Sequence, residues 1–264
     1  MKASLPAALR WRLLQTPVAD GATNMALDHS LARLAAATGE AIVRVYGWQP
    51  ATVSFGRNQR ARGAYDPARL AARGLGVVRR PTGGRSILHD RELTYAVALP
   101  LAAATDARHS YDAVTMLLLD ALRRLGVDAE RAEPRTRSRA PGPAPCFAEP
   151  AAGEVSWRGA KLAGSAQWVE GEAALQHGSV LIDDDQHALA GLGLEPLEAV
   201  PAPATLRAAL GRAPELAEFA AAWRDALESA TGVRPVLFDP EAPEAQPQPP
   251  LLRLYHDDEW TWRR

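Results

Sequence analysis

Cys146 is the only cysteine in the 264-residue chain, and it sits in Ala-Pro-Cys-Phe within a Pro-rich stretch rather than in a periodic apolar segment. A free cysteine is commonly a packed filler. Arg135, Arg137 and Arg139 lie close by in sequence, and positive charge lowers a thiol from its usual pKa of about 8.5 and raises the thiolate fraction. A packed role and a nucleophilic role both stand on these residues alone. Lys161 follows, at the head of Lys-Leu-Ala-Gly-Ser-Ala-Gln. Lys2 and Lys161 are the only lysines among the 30 basic residues, so a generic surface position here would carry arginine. An ammonium beside the sulfur would stabilise a thiolate, and its neutral amine could later help deprotonate an incoming nucleophile. The alternative is a lysine at the edge of a hairpin.

Arg79-Arg80-Pro81-Thr82-Gly83-Gly84-Arg85 follows a predicted strand. Two adjacent glycines let backbone approach a ligand, exposed N–H groups can bind an oxyanion or carbonyl, and the arginines add charged donors. A hairpin turn is the competing reading. The segment is neither a Walker loop nor a dinucleotide fingerprint. His89 in Leu-His-Asp and His177 in Gln-His-Gly-Ser suit acid–base work or the hydrogen bonding of a turn. One cysteine with scattered histidines lacks the spacing of a zinc site. Ser165 and Ser179 lack the Gly-x-Ser-x-Gly elbow of a serine hydrolase. Tyr255, Trp260 and Trp262 read as aromatics that cap a core.

The elements that must position these residues mix helices with short strands. Thr23 to Thr38 reads as a helix capped by Thr23, with Leu27, Leu31 and Leu34 as its stripe and Gly39 as its stop. Ala41 to Tyr46, Thr52 to Phe55, Gly76 to Arg80, and a hairpin from Leu88 with Glu92 to Leu99 read as strands. Asp66-Pro67 opens a short helix ended by Gly74. Ser110 is expected to cap a helix through Leu125, stopped by Gly126. Glu130 to Pro150 reads as a loop. Glu154 to Trp157, Lys161 to Val169 and Leu175 to Ile182 read as consecutive antiparallel strands turned at Arg158-Gly159 and Glu170-Gly171-Glu172. A helix near Glu215 to Ala230 follows. The expected architecture is α+β, with mixed or antiparallel sheets flanked by helices. The division is a domain over 1–238, a Pro-rich linker over 239–250, and a helical tail over 251–264 that packs on the domain.

Composition narrows the function classes. The chain is 47% hydrophobic and 23% charged with a net charge of -1, which suits a globular protein and disfavours a whole-surface nucleic-acid binder. No apolar run approaches the roughly 18 residues of a membrane span. Arg10 and Arg12 come too early for a secretory h-region. One cysteine permits no internal disulfide, and a cytoplasmic protein is expected. Residues 1–139 carry 21 basic and 12 acidic groups, leaving 9 and 19 for the remainder. Unless the halves intermix on folding, the basic half suits an acidic partner, a phosphate or a carboxylate.

Three ordered segments resemble one superfamily. Arg79 to Arg85 with Leu88-His89-Asp90 and Glu92-Leu93-Thr94-Tyr95 resembles the signature of the biotin/lipoate protein ligases and lipoyl/octanoyl transferases. Lys161 to Gln167 resembles its second motif, and Gln176-His177-Gly178-Ser179-Val180-Leu181 its third. Asn24 to Asp28 and Glu259-Trp260-Thr261 are also similar. Cys146 ahead of the Lys-x-x-Gly-Ser-Ala-Gln strand, and arginine where ligases usually carry a third glycine, make the LipM-type octanoyltransferases the nearest pattern. The resemblance implies a class II synthetase-like catalytic domain. It implies Cys146 and Lys161 as the catalytic pair. It implies Arg80, Thr82, Gly83, Gly84, Arg85, His89, Gly164, Ser165, Ala166, His177 and Gly178 as the substrate-binding set.

The implied reaction is octanoyl transfer in lipoate biosynthesis through a Cys146 thioester, from acyl carrier protein to a lysine of the glycine cleavage H protein or of a lipoyl domain of a 2-oxoacid dehydrogenase. No cofactor, metal, nucleic acid or membrane is implied. The lipoate–protein ligase A family is the runner-up, with ATP and Mg²⁺ making an acyl-adenylate. A non-catalytic module that binds acyl carriers or lipoyl domains is the third reading.

Overall fold

Strands with apolar side chains on both faces dominate the centre of the sequence, and such strands need cover on both sides. The computed structural model describes residues 6, 8–103, 106–132, 154–194 and 202–264. Its larger sheet is built from β1 (Trp11–Gln15), β2 (Ala41–Tyr46), β6 (Glu92–Pro100), β7 (Glu130–Arg131), β8 (Val155–Trp157), β9 (Ala160–Glu170), β10 (Ala173–Leu181) and β11 (Val236–Phe238). Their order is β11-β1-β2-β6-β10-β9-β8-β7. A smaller sheet has β3 (Thr52–Phe55) between β4 (Gly76–Arg79) and β5 (Ile87–His89). In the larger sheet β1 is parallel to β2 and β11, and the other recorded pairings are antiparallel. The expected α+β class with mixed sheets is what forms.

Helices α1 (Gly21–Thr38) and α6 (Pro249–His256) cover one face of the larger sheet, and α3 (Ala107–Arg124) and α5 (Leu216–Thr231) cover the other. The short helices α2 (Pro67–Ala72), α4 (Leu206–Leu210) and α7 (Asp258–Thr261) complete the described set. Ile42, Ala96, Ala98 and Leu175 pack with Met25, Leu27 and Leu31 on the α1 side. Val43, Val45, Tyr95 and Val97 pack with Leu118, Leu122 and Trp223 on the other. Alternation along β2 and β6 thus divides their side chains between two cores, which is why both strands are buried throughout. The register places Arg44, Ala96, His177 and Ala166 in one row across β2, β6, β10 and β9, facing α1. Tyr46, Thr94, Ser179 and Gly164 form the parallel row two residues along, on the same face.

Several sequence expectations shift. Asp20, not Thr23, caps α1: its carboxylate accepts from Thr23 N and Thr23 Oγ1, both at 2.9 Å. Asp106, not Ser110, caps α3, accepting from His109 N at 2.7 Å; Ser110 lies inside the helix and donates to Ala107 O. In both cases an aspartate one turn earlier supplies the better acceptor for the orphan N–H groups. The expected loop from Glu130 begins instead as the short strand β7, held by Val155 and Ser156. β1 and β11 were not expected, since their parallel partners are remote in sequence. Residues 239–250 contain a 3₁₀ turn at Pro243–Ala245, with Ala245 buried, and the first turn of α6, whose Gln248 N–H donates to Ser30 on α1. Among the described residues no helix is long and apolar enough to cross a membrane.

Trp223 is fully buried, with its ring 5.2 Å from Tyr95 and 6.2 Å from Phe219. Trp223→Ala is expected to lower unfolding stability by about 3–5 kcal/mol. A urea titration checks this, and a midpoint unchanged from that of the parent would contradict the placement of α5 as a core element.

Candidate active site

A narrow cavity of about 90 Å³ lies between the larger sheet, α1 and the smaller sheet. Its floor comes from the two rows just described: Tyr46, Thr94, His177, Ser179, Gly164 and Ala166. Met25 enters from α1, Trp48 from the turn after β2, and Ile87 and His89 from β5. Arg80 and Gly84 bring the Thr-Gly-Gly loop to its edge, and Glu154 reaches it from just before β8. A larger, more open groove lies elsewhere, by Tyr65, Leu194 and Trp262; none of the residues expected to be catalytic or substrate-binding lines it.

Behind the floor, one carboxylate organises the polar groups. Asp28 Oδ1 accepts from Arg44 Nη1 at 2.7 Å, and Asp28 Oδ2 accepts from Tyr46 Oη at 2.7 Å. His177 Nδ1 lies 3.1 Å from Asp28 Oδ2 and its Nε2 lies 2.6 Å from Thr82 Oγ1. The carboxylate requires the proton on Nδ1, so Nε2 accepts from the Thr82 hydroxyl. Burial opposes the charge on Asp28, yet Arg44 and His177 hold its pKa below the ordinary range. Burial pulls His177 below its ordinary 6.5 in spite of Asp28. The imidazole is therefore neutral at pH 7, and its orientation is set from both sides.

A second relay joins the two sheets. Ser54 Oγ is 2.7 Å from His89 Nε2, and His89 Nδ1 is 2.7 Å from Glu92 Oε1. Thr94 and Ser179 also donate to that oxygen, at 2.6 and 2.7 Å. Trp48 stacks on the His89 ring at 3.9 Å and donates to Thr94 Oγ1 at 2.8 Å. Both histidines read as acid–base candidates are thus held in networks whose outer atoms belong to the cavity wall.

The loop after β4 is held from within. Arg80 donates to Ser54 Oγ at 2.9 Å, to Gly83 O at 2.8 Å and to Arg85 O at 2.6 Å. It therefore clamps the loop on which it was expected to bind a ligand directly. Arg85 takes part through its carbonyl, and its side chain is not among those lining the cavity. Gly84 has φ +96°, a conformation that glycine tolerates. Gly56, which the sequence did not single out, allows the loop to pass: a Cβ there would fall 1.9 Å from Gly84 O.

Lys161 is buried near the start of β9, and its Nζ is 2.7 Å from Glu154 Oε1. Glu154 thereby connects the lysine to the cavity wall. Cys146 lies outside the described residues, as do Arg135, Arg137 and Arg139. Of the motif residues, His89, Arg80, Gly84, Gly164, Ser165, Ala166, His177 and Gly178 converge on one cavity. Thr82 stands one hydrogen bond behind it, and Gly83 supplies a carbonyl to Arg80. Asp28, Arg44, Tyr46, Trp48, Glu92 and Glu154 complete the site and had no role assigned from sequence. Asp28 and Glu92 did fall within segments that carry the family resemblance.

This geometry can be set beside known proteins. The sequence profile of the lipoyl protein ligase A/B catalytic domain matches residues 20–228. Octanoyltransferase LipM of Kyrpidia tusciae is 37% identical over 272 residues, covering 96% of this chain and 99% of that protein. Octanoyltransferase LipM of Bacillus subtilis is 39% identical over 200 residues, 72% of each chain. In fold, the chain resembles a bipartite lipoate protein ligase from Thermoplasma acidophilum, with a TM-score of 0.73 at 20% identity over 96% of each chain. Lipoate-protein ligase A bound with ATP gives a TM-score of 0.72 at 21% identity, covering 96% of this chain and 98% of that one. Matched from α1 to α5 by one profile, and along nearly its whole length by a curated relative, the chain belongs to the lipoyl protein ligase A/B catalytic domain family, alongside its LipM-type members.

Proposed function

We propose that this chain is an octanoyltransferase of lipoate biosynthesis working in the cytoplasm. It takes octanoyl from the phosphopantetheine thioester of acyl carrier protein and delivers it to a lysine of the glycine cleavage H protein or of a 2-oxoacid dehydrogenase lipoyl domain. The cavity carries this reading. Gly164 and Ala166 keep its floor low, while Met25, Trp48 and Ile87 give it apolar sides. Much of its wall's hydrogen bonding is satisfied inward, on Asp28 and Glu92. A narrow slot of this kind suits a linear aliphatic chain, whose burial contributes about 0.8 kcal/mol per methylene. The curated relatives' names support the same acyl group.

Transfer needs two displacements at the carbonyl carbon. The Cys146 thiolate adds to the donor thioester, the carbon–sulfur bond to the phosphopantetheine breaks, and that arm leaves as a thiolate that takes up a proton. The acceptor lysine, as neutral amine, then adds to octanoyl-Cys146. The new carbon–nitrogen bond is an amide, Cys146 departs as thiolate, and the amine's proton passes to water. The first exchange is nearly isoenergetic, and amide formation drives the second. Because the acyl group arrives activated, neither ATP nor a metal ion enters. In this reading Lys161 supplies positive charge to the sulfur and the carbonyl oxygen, and Glu154 fixes where that ammonium points.

Incubation with octanoyl carrier protein, without ATP, is expected to add about 126 Da to the intact protein, one octanoyl group less a hydrogen. Cys146→Ala abolishes the adduct and the transfer. Transfer that survives in that variant, or that requires ATP, would favour an adenylating ligase instead.

Lys161→Ala is expected to slow acylation by about 10²-fold. Because it also leaves Glu154 buried beside no ammonium, the Lys161→Met/Glu154→Gln pair serves as the folding control. Normal acylation in either variant would remove Lys161 from the chemistry.

The depressed His177 pKa has a sign that can be measured. Below pH 6.5 the unfolded chain protonates this histidine before the folded chain does. Stability is therefore full above that pH and declines as pH falls toward the folded-state value. Buried His29, likewise depressed, acts in the same direction. Urea midpoints that decline over this range in the parent, and less steeply in His177→Gln, are expected; equal slopes would contradict a buried neutral imidazole.

A further inference from the structure

Beyond the cavity, β9 continues from Ala166 to Trp168, which lies on the same face of the strand. Trp168 packs edge-on against His29 at 4.8 Å. Trp260, from α7, is pinned beside it by donating Nε1 to Arg79 O at 2.9 Å. Arg57 spans the two indoles, 5.4 Å from the Trp168 ring and 5.9 Å from that of Trp260, and Arg263 lies 3.9 Å over Trp260. Arg57 N–H donates to Thr82 O at 2.7 Å, so the patch is continuous with the Thr-Gly-Gly loop. Arg263 donates to Arg57 O, and Arg33 stands on the same side near Glu170.

Positive charge predominates here, since the neighbouring Glu170 is engaged by His29 and Arg33. Among the described residues neither Arg57 nor Arg263 has an ion-pair partner. Arg263 is exposed and stands among like charges, with partial burial and then Arg57 and Arg264 lowering its pKa. The nearest acidic side chains of α7, Asp258 and Glu259, turn instead to the separate groove by Arg62. A guanidinium over an indole ring retains N–H donors that carboxylate and phosphate groups accept.

We infer that Arg57 and Arg263, on their Trp168–Trp260 platform, form the docking surface for an acidic protein that delivers the acyl chain on a phosphate-bearing arm. This rests on the octanoyl-transfer reading and adds where the donor sits. An anionic carrier is drawn toward the cavity by these arginines, and the acylation half-reaction, which contains no acceptor, isolates the donor's contribution.

The test compares two donors on the acylation half-reaction alone: octanoyl carrier protein, and the uncharged octanoyl-N-acetylcysteamine thioester. In Arg57→Glu/Arg263→Glu, kcat/KM with the carrier is expected to fall by about tenfold or more at low salt. The parent's rate with the carrier should fall as salt is added, and rates with the uncharged thioester should match in both proteins. Equal losses with both donors would mean a structural defect and overturn the assignment. So would an unchanged rate with the carrier, or a loss confined to transfer onto the acceptor. A parent protein acylated by neither donor would instead overturn the octanoyl-transfer reading itself.

Discussion

Burying the Asp28 carboxylate determines much of the rest of the structure. A charge withdrawn from water is tolerated only when it is paired and fully hydrogen-bonded. Asp28 meets that condition through groups from separate elements: Arg44 and Tyr46 from β2, and His177 from β10. Arg44 in turn bonds Asn24 O and Asn24 Oδ1 in α1 and Thr16 Oγ1 after β1. His177 passes the linkage to Thr82, on the loop of the smaller sheet. One carboxylate thus ties the α1 layer, the central sheet and the second sheet together. Moving α1 or the central sheet would strand a buried charge, and moving the second sheet would leave His177 Nε2 without its donor. The gap between the layers, which is the cavity, is consequently held at a fixed width.

The Glu92 cluster repeats this logic on the other side of the gap. Glu92 Oε1 gathers His89, Thr94 and Ser179, and His89 reaches across to Ser54 on β3. Ser54 also accepts from Arg80, which holds the Gly83 and Arg85 carbonyls. The two relays bracket the slot and turn much of their hydrogen-bonding capacity away from it. The space left between them accommodates methylene groups without breaking these hydrogen bonds, although Glu92 Oε2 is buried with no partner among the described residues. A site for a short fatty chain is obtained here from a polar shell rather than from an oily core.

Sequence made much of this legible, and the failures share a cause. Motif spacing brought His177 and the small residues of β9 together, because these sit on adjacent antiparallel strands joined by a short turn, and His89 joins them from the smaller sheet through Glu92, three residues on at the start of β6. The second helix cap was misplaced because Ser110 is a reasonable local acceptor, and only the chain's actual entry angle favours Asp106. Arg44 was passed over since it interrupts an otherwise apolar strand, and nothing within β2 reveals that Asp28 sits opposite. Glu154 gains meaning only beside Lys161. β1 and β11 depend on parallel pairing with residues far along the chain. Local chemistry was readable; the long-range partner of each buried charge was not.

The glycines divide along the same line. Reading them all as space for substrate treats absence of a side chain as having one purpose. A Cβ on Gly178 would meet Gly164 O at 2.6 Å, Tyr95 Cε1 at 2.8 Å and Ser165 Oγ at 2.9 Å, on the sheet face turned away from α1. Tyr95 and Ser165 share a hydrogen bond there at 2.7 Å. Gly178 therefore lets the Tyr95 ring lie flat across the strands and reach Trp223, and only its backbone faces the cavity. Gly83, by contrast, would place a Cβ in open space. Steric need at Gly178 and Gly56 belongs to the scaffold, which fixes the strands and lets the loop approach. What remains for the acyl chain is the room above Gly164 and Ala166, so the length of the slot is set by where Trp48, Met25 and Ile87 close it rather than by the number of glycines around it.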